Sequence, residues 1–285
     1  MTLNHFQEEL INRLIRLALD EDTGDGDHTS SACIPADARQ RARLLVKDKG
    51  VLCGLDIARR VGNAVDPALK LDFQLQEGAD IEPGMVAFYL EGPTRSILLA
   101  ERLMLNFMQR MSGIASYTRH LSQMIRHTRA TLLDTRKTSP GMRILEKWAV
   151  LTGGGQNHRM GLFDMIMIKD NHIDYAGGII EAIDRVEAYL RAQNRSLKIE
   201  VEVRSLEDVE KVLSRGGVHR VMLDNFSPDA IRQALTRIAG RFETEASGGI
   251  TEDNLLSYAE TGVDYISIGA LTHQIRSLDL SLKAC

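Results

Sequence analysis

The 285-residue chain is 44% hydrophobic and 26% charged, with 35 Lys and Arg against 39 Asp and Glu and a net charge of −4. That balance is ordinary for a soluble globular protein. It excludes a chain-wide attraction to nucleic acid or to an anionic membrane, so any anion site must be local. The three cysteines, Cys33, Cys53 and Cys285, are far apart, odd in number and without CxxC spacing; neither a disulfide framework nor a zinc site is indicated. The N-terminal MTLNHFQEEL lacks a basic segment leading into an apolar one, and no apolar run is long enough to span a bilayer. The expectation is a reduced, cytoplasmic protein.

In chain order, Phe6, Leu10, Leu14, Leu17 and Ala18 recur at helical spacing and predict an opening amphipathic helix. The Gly/Asp-rich "GDGDHTS" (24–30) reads as a loop. Short strands follow, among them "RARLLVKDKGVLCG" and "LKLDFQLQ", separated by the turn signals "EGAD" and "EPG". Thr94 is a candidate cap for a long helix through Met111 that is apolar nearly all round, which argues for burial. Arg102, Asn106 and Arg110 form its one polar stripe, at four-residue spacing. Ser112-Gly113 reads as an interruption, with a second helix to about Thr128.

From there the chain alternates strand and helix. Candidate strands lie at 130–135, 164–170, 198–203, 219–224, 242–247 and 264–269, with helical patterns between most of them. Such alternation means a parallel sheet. Six units close as a barrel related to the (β/α)₈ type or form an open doubly wound sheet. The barrel is favoured because functional-looking residues end nearly every strand, whereas an open sheet gathers its site at one switch point. The division is residues 1–115, then a barrel over 116–270, with the tail 271–285 packing back on the first region.

The strand ends carry the chemistry. They supply Arg136 and Lys137; Lys169, Asp170, Asn171 and His172; Glu200 and Glu202; Asp224 and Asn225; Ser247, Gly248 and Gly249; and Gly269 and Ala270. "GGGQNHR" (153–159) adds His158 and Arg159 between the first two strands. Singly, each has a bland reading: a solvated cation, an Asp-Asn turn, a flexible glycine loop. His28, His219 and His273 show no partner pattern. Jointly they are harder to dismiss. A buried parallel strand should be nearly all apolar, yet "EVEV" places a carboxylate toward the interior or mouth, where it needs cations, a metal or hydroxyls. Glu202, nearer the C-terminal end, takes the site role over Glu200. "SGGI" before "TEDNLL", with a second glycine after "DYISIG", suits a phosphate held by backbone N–H groups in the last two strand loops.

Taken together, "EDTGDGDHTS", "AERLMLNFMQRMSGIA", "DTRKTSPGMR", "GGGQNHRMGLFDMIMIKDNH", "EVEV", "MLDNF", "ASGGI" and "SIGALTH" resemble the quinolinate phosphoribosyltransferase family, in order, from about Glu21 to His273. The resemblance implies an N-terminal α/β sandwich with an incomplete α/β barrel, a homodimer or higher oligomer, and Mg²⁺. It implies phosphoribosyl transfer to quinolinate with decarboxylation, giving nicotinate mononucleotide for NAD synthesis. Arg136, His158, Arg159 and Lys169 would bind the quinolinate carboxylates, with Arg102 supplied by the other subunit. Thr135 and Lys137 would line the substrates and phosphates. Glu202 and Asp224 would hold the ribose hydroxyls and, indirectly, the Mg²⁺. Ser247 to Gly249 and Gly269 to Ala270 would hold the 5′-phosphate, and Lys137, Lys169, Glu202 and Asp224 would be catalytic. Rival readings are a paralogue associated with molybdate-transport operons, an isomerase or aldolase using Lys169 as a Schiff-base or acid/base lysine, and a non-catalytic phosphosugar-binding module.

Overall fold

The computed structural model describes residues 3–285. Its contacts group into two units, one of residues up to 120 with 138–154 and 271–285, the other of residues 121–137 with 155–270.

The first unit begins with α1 (His5–Thr23), closed at its start by a capping box between Asn4 and Gln7. The predicted helix is there, but its buried positions are Ile11 and Ile15, while Phe6 and Leu17 are exposed. "GDGDHTS" is only partly loop, because Asp27 accepts the Ser30 N–H and caps α2 (His28–Cys33). The segments β1 (Arg39–Val46), β2 (Gly50–Val51), α3 (Leu55–Val65), β3 (Lys70–Phe73), β4 (Asp80–Ile81) and β5 (Val86–Pro93) follow. The amphipathic α3 was not foreseen; it buries Leu55, Ile57, Ala58 and Val61. An antiparallel sheet runs β12–β1–β5–β3, where β12 (Leu280–Ala284) is the returning C-terminal tail, in register from Ala42–Ala284 to Val46–Leu280.

The helix after β5 corrects the sequence reading. Thr94–Met124 is one continuous 31-residue helix, α4. Ser112 and Gly113 do not break it; they are small because neighbours come close. The Ser112 hydroxyl accepts the Cys53 N–H at 2.9 Å, and a Cβ on Gly113 would lie 2.3 Å from the Arg276 carbonyl. The expected boundary at 115/116 therefore falls inside a helix. Helix α5 (Arg143–Gly153), expected in the barrel region, groups with the first unit. Its Glu146 takes Arg110 at 2.8 Å, and a Cβ on Gly153 would meet the Ala115 carbonyl at 2.5 Å. The triple glycine is thus a close-packed helix end rather than a flexible loop.

The second unit carries six parallel strands: β6 (Thr131–Leu133), β7 (Ile166–Ile168), β8 (Ile199–Val203), β9 (Arg220–Asp224), β10 (Glu243–Ser247) and β11 (Tyr265–Ser267). Their order is β6–β11–β10–β9–β8–β7. Chain order is kept around the sheet and the last strand returns to the first, which is a barrel order with one gap, between β6 and β7. Gln156 pairs with Leu133 on the β6 side of that gap. The connecting helices are α6 (Asp170–Ala176), α7 (Ile179–Ala192), α8 (Leu206–Arg215), α9 (Pro228–Ile238) and α10 (Glu252–Ala259), and the short α11 (Ala270–His273) follows β11. Among the described residues no helix is long and apolar enough to cross a membrane.

Candidate active site

Strand alternation explains how charge enters the barrel. All five residues of β8 are buried. Ile199, Val201 and Val203 take one face and Glu200 and Glu202 the other, because successive side chains alternate. Parallel register sets Glu200 and Glu243 beside Arg220, Glu202 and Glu245 beside Met222, and Ser247 beside Asp224. Apart from Met222, one face of three adjacent strands is therefore polar. The groups on it pair in tiers. Arg220 contacts Glu243 and Glu245, each at 3.0 Å, and lies 4.0 Å from the Tyr265 ring centre. Nearer the C-terminal ends, Lys169 Nζ meets Glu202 at 3.1 Å. Asp224 and Ser247 end the row.

Two arginines concentrate positive charge on one side of the strand ends. Arg159 is half-buried, and its guanidinium is held below its ordinary pKa first by burial and then by the charge of Arg136. Two like charges brought together while losing water are unfavourable alone and favourable around an anion. Arg136 and Lys137 are both exposed after β6, with the Thr135 hydroxyl accepting the Lys137 N–H at 3.0 Å. Asp224 shows the opposite imbalance: burial, then the neighbouring Glu202 carboxylate, raise its pKa. Cations thus crowd one part of the strand ends and carboxylates another.

The glycine turn after β10 is built for backbone approach. Gly248 has φ +93°, and a Cβ there would sit 2.3 Å from the Asn225 side-chain oxygen. Only glycine fits both constraints. A Cβ on Gly249 would meet nothing within 4 Å, so the backbone there faces open space. Thr251 and Asn254 then form a capping box at the start of α10, although Glu252 and Asp253 occupy its first turn. Gly269 and Ala270 follow β11 and are half-buried.

His158 departs from expectation. Its ring is buried, with Nε2 turned into the barrel, 3.0 Å from Glu200 and 3.4 Å from Glu245. Nδ1 accepts the Arg159 N–H at 2.6 Å. The ring is therefore engaged behind the arginines rather than presented beside them. Burial opposes a charged imidazole here and the Glu200 and Glu245 carboxylates favour one; with Nδ1 accepting the Arg159 N–H, the ring is the neutral tautomer that carries its proton on Nε2, facing the carboxylates. Glu200 is pushed up to about 7 by burial and then by Glu245. Sequence reading named Glu200 but passed over it, and missed Glu245, Arg220 and Asp134. Asp134 is fully buried and accepts the His158 N–H at 2.9 Å. The available signal was the acids in "LLD" and "ETEAS", strands that burial should have made apolar.

The shift on Glu200 predicts a pH effect on stability. Its folded pKa of about 7 lies above the ordinary 4.5. The contribution is complete below the unfolded value and is lost as pH rises through about 7. Thermal melts across pH 5–8 should show the midpoint falling, and Glu200→Gln should flatten the slope. An equal slope in the variant would refute the assignment.

A cavity of about 610 Å³ lies at the opposite, N-terminal ends of the strands, lined by Arg129, Lys198, His219 and Arg241 among others. Arg129 is paired with Asp264 and Lys198 lies 3.9 Å from Glu243. The chemistry gathers at the other end.

The family models for the N-terminal and C-terminal domains of quinolinate phosphoribosyl transferase match residues 27–112 and 114–283. The chain belongs to the quinolinate phosphoribosyl transferase family. It is 45% identical over 285 residues to a quinolinate phosphoribosyltransferase [decarboxylating] of Nicotiana tabacum, covering 95% of this chain and 81% of that protein. It is 38% identical to a probable nicotinate-nucleotide pyrophosphorylase [carboxylating] of Bacillus subtilis, covering 98% and 94%. The solved nicotinate-nucleotide pyrophosphorylase of Francisella tularensis superposes with a TM-score of 0.91 at 38% identity, covering 97% of this chain and 96% of that one. The C-terminal domain of quinolinate phosphoribosyl transferase, matched over residues 114–283, contains the six parallel strands and the polar row.

Proposed function

We propose that this chain transfers the phosphoribosyl group of phosphoribosyl pyrophosphate to quinolinate with decarboxylation, giving nicotinate mononucleotide, pyrophosphate and carbon dioxide for NAD synthesis. The observation that carries this reading is the segregation of charge at the strand ends. Arg136 and Arg159 crowd together, while Glu202 and Asp224 crowd beside Lys169. The first set suits a planar dicarboxylate, which arginine grips bidentately. The second suits a sugar that develops positive charge.

In this reading Arg136, Arg159 and Lys169 hold the quinolinate carboxylates and orient the ring nitrogen toward the anomeric carbon. The nitrogen lone pair forms the new bond as the carbon–oxygen bond to pyrophosphate breaks. Glu202 and Asp224 stabilise the oxocarbenium-like sugar and hold its hydroxyls. Lys137, with Thr135 beside it, offsets the phosphate charge. The turn Ser247–Gly249 and the backbone at Gly269 and Ala270 hold the 5′-phosphate. The pyridinium then draws the electrons of the C2–carboxylate bond, carbon dioxide leaves, and the carbanion left at C2 takes a proton from water. No covalent nucleophile is required; positioning and electrostatics supply the rate.

Glu202 and Asp224 also fit Mg²⁺. Burial and then the Glu202 charge raise the Asp224 pKa, and hard divalent cations prefer carboxylate oxygens together with substrate phosphates. Bound there, the ion would neutralise the leaving pyrophosphate. Arg102 is exposed on α4 and makes no ion pair among the described residues, whereas Arg110 on the same stripe is taken up by Glu146. That difference supports a homodimer in which Arg102 completes the partner's site. A cytoplasmic location accords with three unpaired cysteines.

The deciding assay is carbon dioxide release and nicotinate mononucleotide formation from quinolinate, with each of phosphoribosyl pyrophosphate and Mg²⁺ omitted in turn. Product is expected only with all three. Nicotinate should be a poor substitute, since it leaves part of the cation cluster unpaired. Equal turnover of nicotinate would overturn the assignment.

A further inference from the structure

We infer that Glu200, Glu245 and Arg220, none of which reaches the strand-end surface, form a buried positioning unit that fixes His158 and thereby aims Arg159 at the substrate carboxylate. The inference rests on the assignment of Arg159 to quinolinate.

The chain of contact can be followed inward from the site. Arg159 donates its backbone N–H to His158 Nδ1 at 2.6 Å, so the imidazole sets where the residue that carries the guanidinium sits. His158 Nε2 points the other way, at Glu200 and Glu245. Glu245 is fully buried, and Arg220 at 3.0 Å clamps it from below. The Ser267 hydroxyl also hydrogen-bonds Glu245. Arg220 is itself fixed by Glu243 and by the face of Tyr265. On the backbone side, Asp134 takes the His158 N–H. Glu200, Arg220 and Glu245 come from three adjacent strands, and the ring is engaged at both nitrogens.

The physical question is why four charged or polar side chains are buried where a valine or leucine layer would be more stable. Replacing a buried ionic cluster by well-packed apolar residues is often neutral or stabilising, so its retention asks for another role. Segment 156–159 gives the reason. It crosses the gap between β6 and β7 and is fastened to β6 by the Leu133–Gln156 bridge and by Asp134. Among the described residues the half-buried Arg159 guanidinium hydrogen-bonds one carbonyl, Met165 O, at 3.4 Å. Against the push of Arg136, it needs a rigid anchor behind it. The ionic cluster supplies two carboxylates within 3.4 Å of His158 Nε2, an attraction for one edge of the ring that an apolar layer cannot supply. Ligand-holding groups fixed in this way lose less freedom on binding.

The cluster also places three metal-ligating atoms, from His158, Glu200 and Glu245, within 4.8 Å of one another. Arg220 already contributes the positive charge there, so the ring and the guanidinium share the carboxylates.

The test is a double-mutant cycle on the full-length enzyme. Arg159→Ala, Glu245→Gln and the double variant are compared with wild type for the KM of each substrate. Glu245→Gln is expected to raise the quinolinate KM about tenfold, equivalent to about 1.4 kcal/mol, with the phosphoribosyl pyrophosphate KM little changed. In the Arg159→Ala background the same change should add little, because its effect runs through Arg159. Glu245→Asp, which keeps the charge, should recover part of the loss. If Arg159→Ala leaves the quinolinate KM unchanged, the underlying site assignment fails. If Arg159→Ala raises it and Glu245→Gln does not, or the two effects simply add, the positioning inference is overturned while the site assignment stands. A merely structural cluster would lower the melting temperature without that substrate-selective change. Should Glu245→Gln fail to fold, Ser267→Ala removes one contact to Glu245 with no change of charge and is judged in the same cycle.

Discussion

Lys169→Ala is expected to lower kcat/KM for quinolinate by about a hundredfold, a loss near 3 kcal/mol. Two effects act together. The substrate loses a charge-assisted contact, worth about 1.5–3 kcal/mol. Glu202 also loses the cation that sits 3.1 Å from its carboxylate. Glu202 is nearly buried and already raises Asp224 by its charge. Without Lys169 the pair becomes harder to keep ionised together, and the sugar cation loses part of its stabilisation. Lys169 is itself half-exposed, so the change should affect rate far more than folding. Steady-state kinetics with a thermal melt on the same sample separates the two. A variant with near wild-type kcat/KM would remove Lys169 from the site. The experiment also addresses the Schiff-base alternative: borohydride treatment of the wild-type enzyme with substrates should trap no adduct on Lys169.

Mixing two impaired variants, Arg102→Ala and Lys169→Ala, is expected to raise activity well above that of either once subunits exchange. In a mixed dimer the Arg102→Ala barrel keeps Lys169 and receives Arg102 from its partner, whereas the other site lacks both. With random pairing about a quarter of all sites recover, one site in each of half the dimers. The motive is the contrast along one helical stripe: Arg110 is committed to Glu146, Ser139 and the Thr272 carbonyl, while Arg102 stays exposed. An exposed arginine is ordinarily solvated, and in that case no mixture regains activity. Verified exchange, by mass or by a tag on one variant, without recovery rejects the shared site.

Two residues on one strand show how far alternation carries. Glu200 and Glu202 lie on the same face of β8, and the sequence indicated that such acids need partners in a buried strand. Which partners they have was not visible. Glu202 is paired by Lys169 from the end of the adjacent β7, but Glu200 is met by His158 from the gap-crossing segment. That segment is 42 residues away in the chain, and no periodicity links the two.

The sequence by itself determined the alternation of strands and helices, the polar ends of the strands and the motif order that marks the family. These are properties of neighbouring residues, set by side-chain period and turn chemistry. The tertiary structure decided the rest. It made α4 continuous, because whether Ser112-Gly113 breaks a helix depends on the Cys53 amide and the Arg276 carbonyl pressing against it. It drew α5 into the first unit through Arg110 and Glu146. It also turned His158 inward, because a histidine's role follows from the groups that fold brings to its two ring nitrogens, here carboxylates from β8 and β10 and the amide of Arg159.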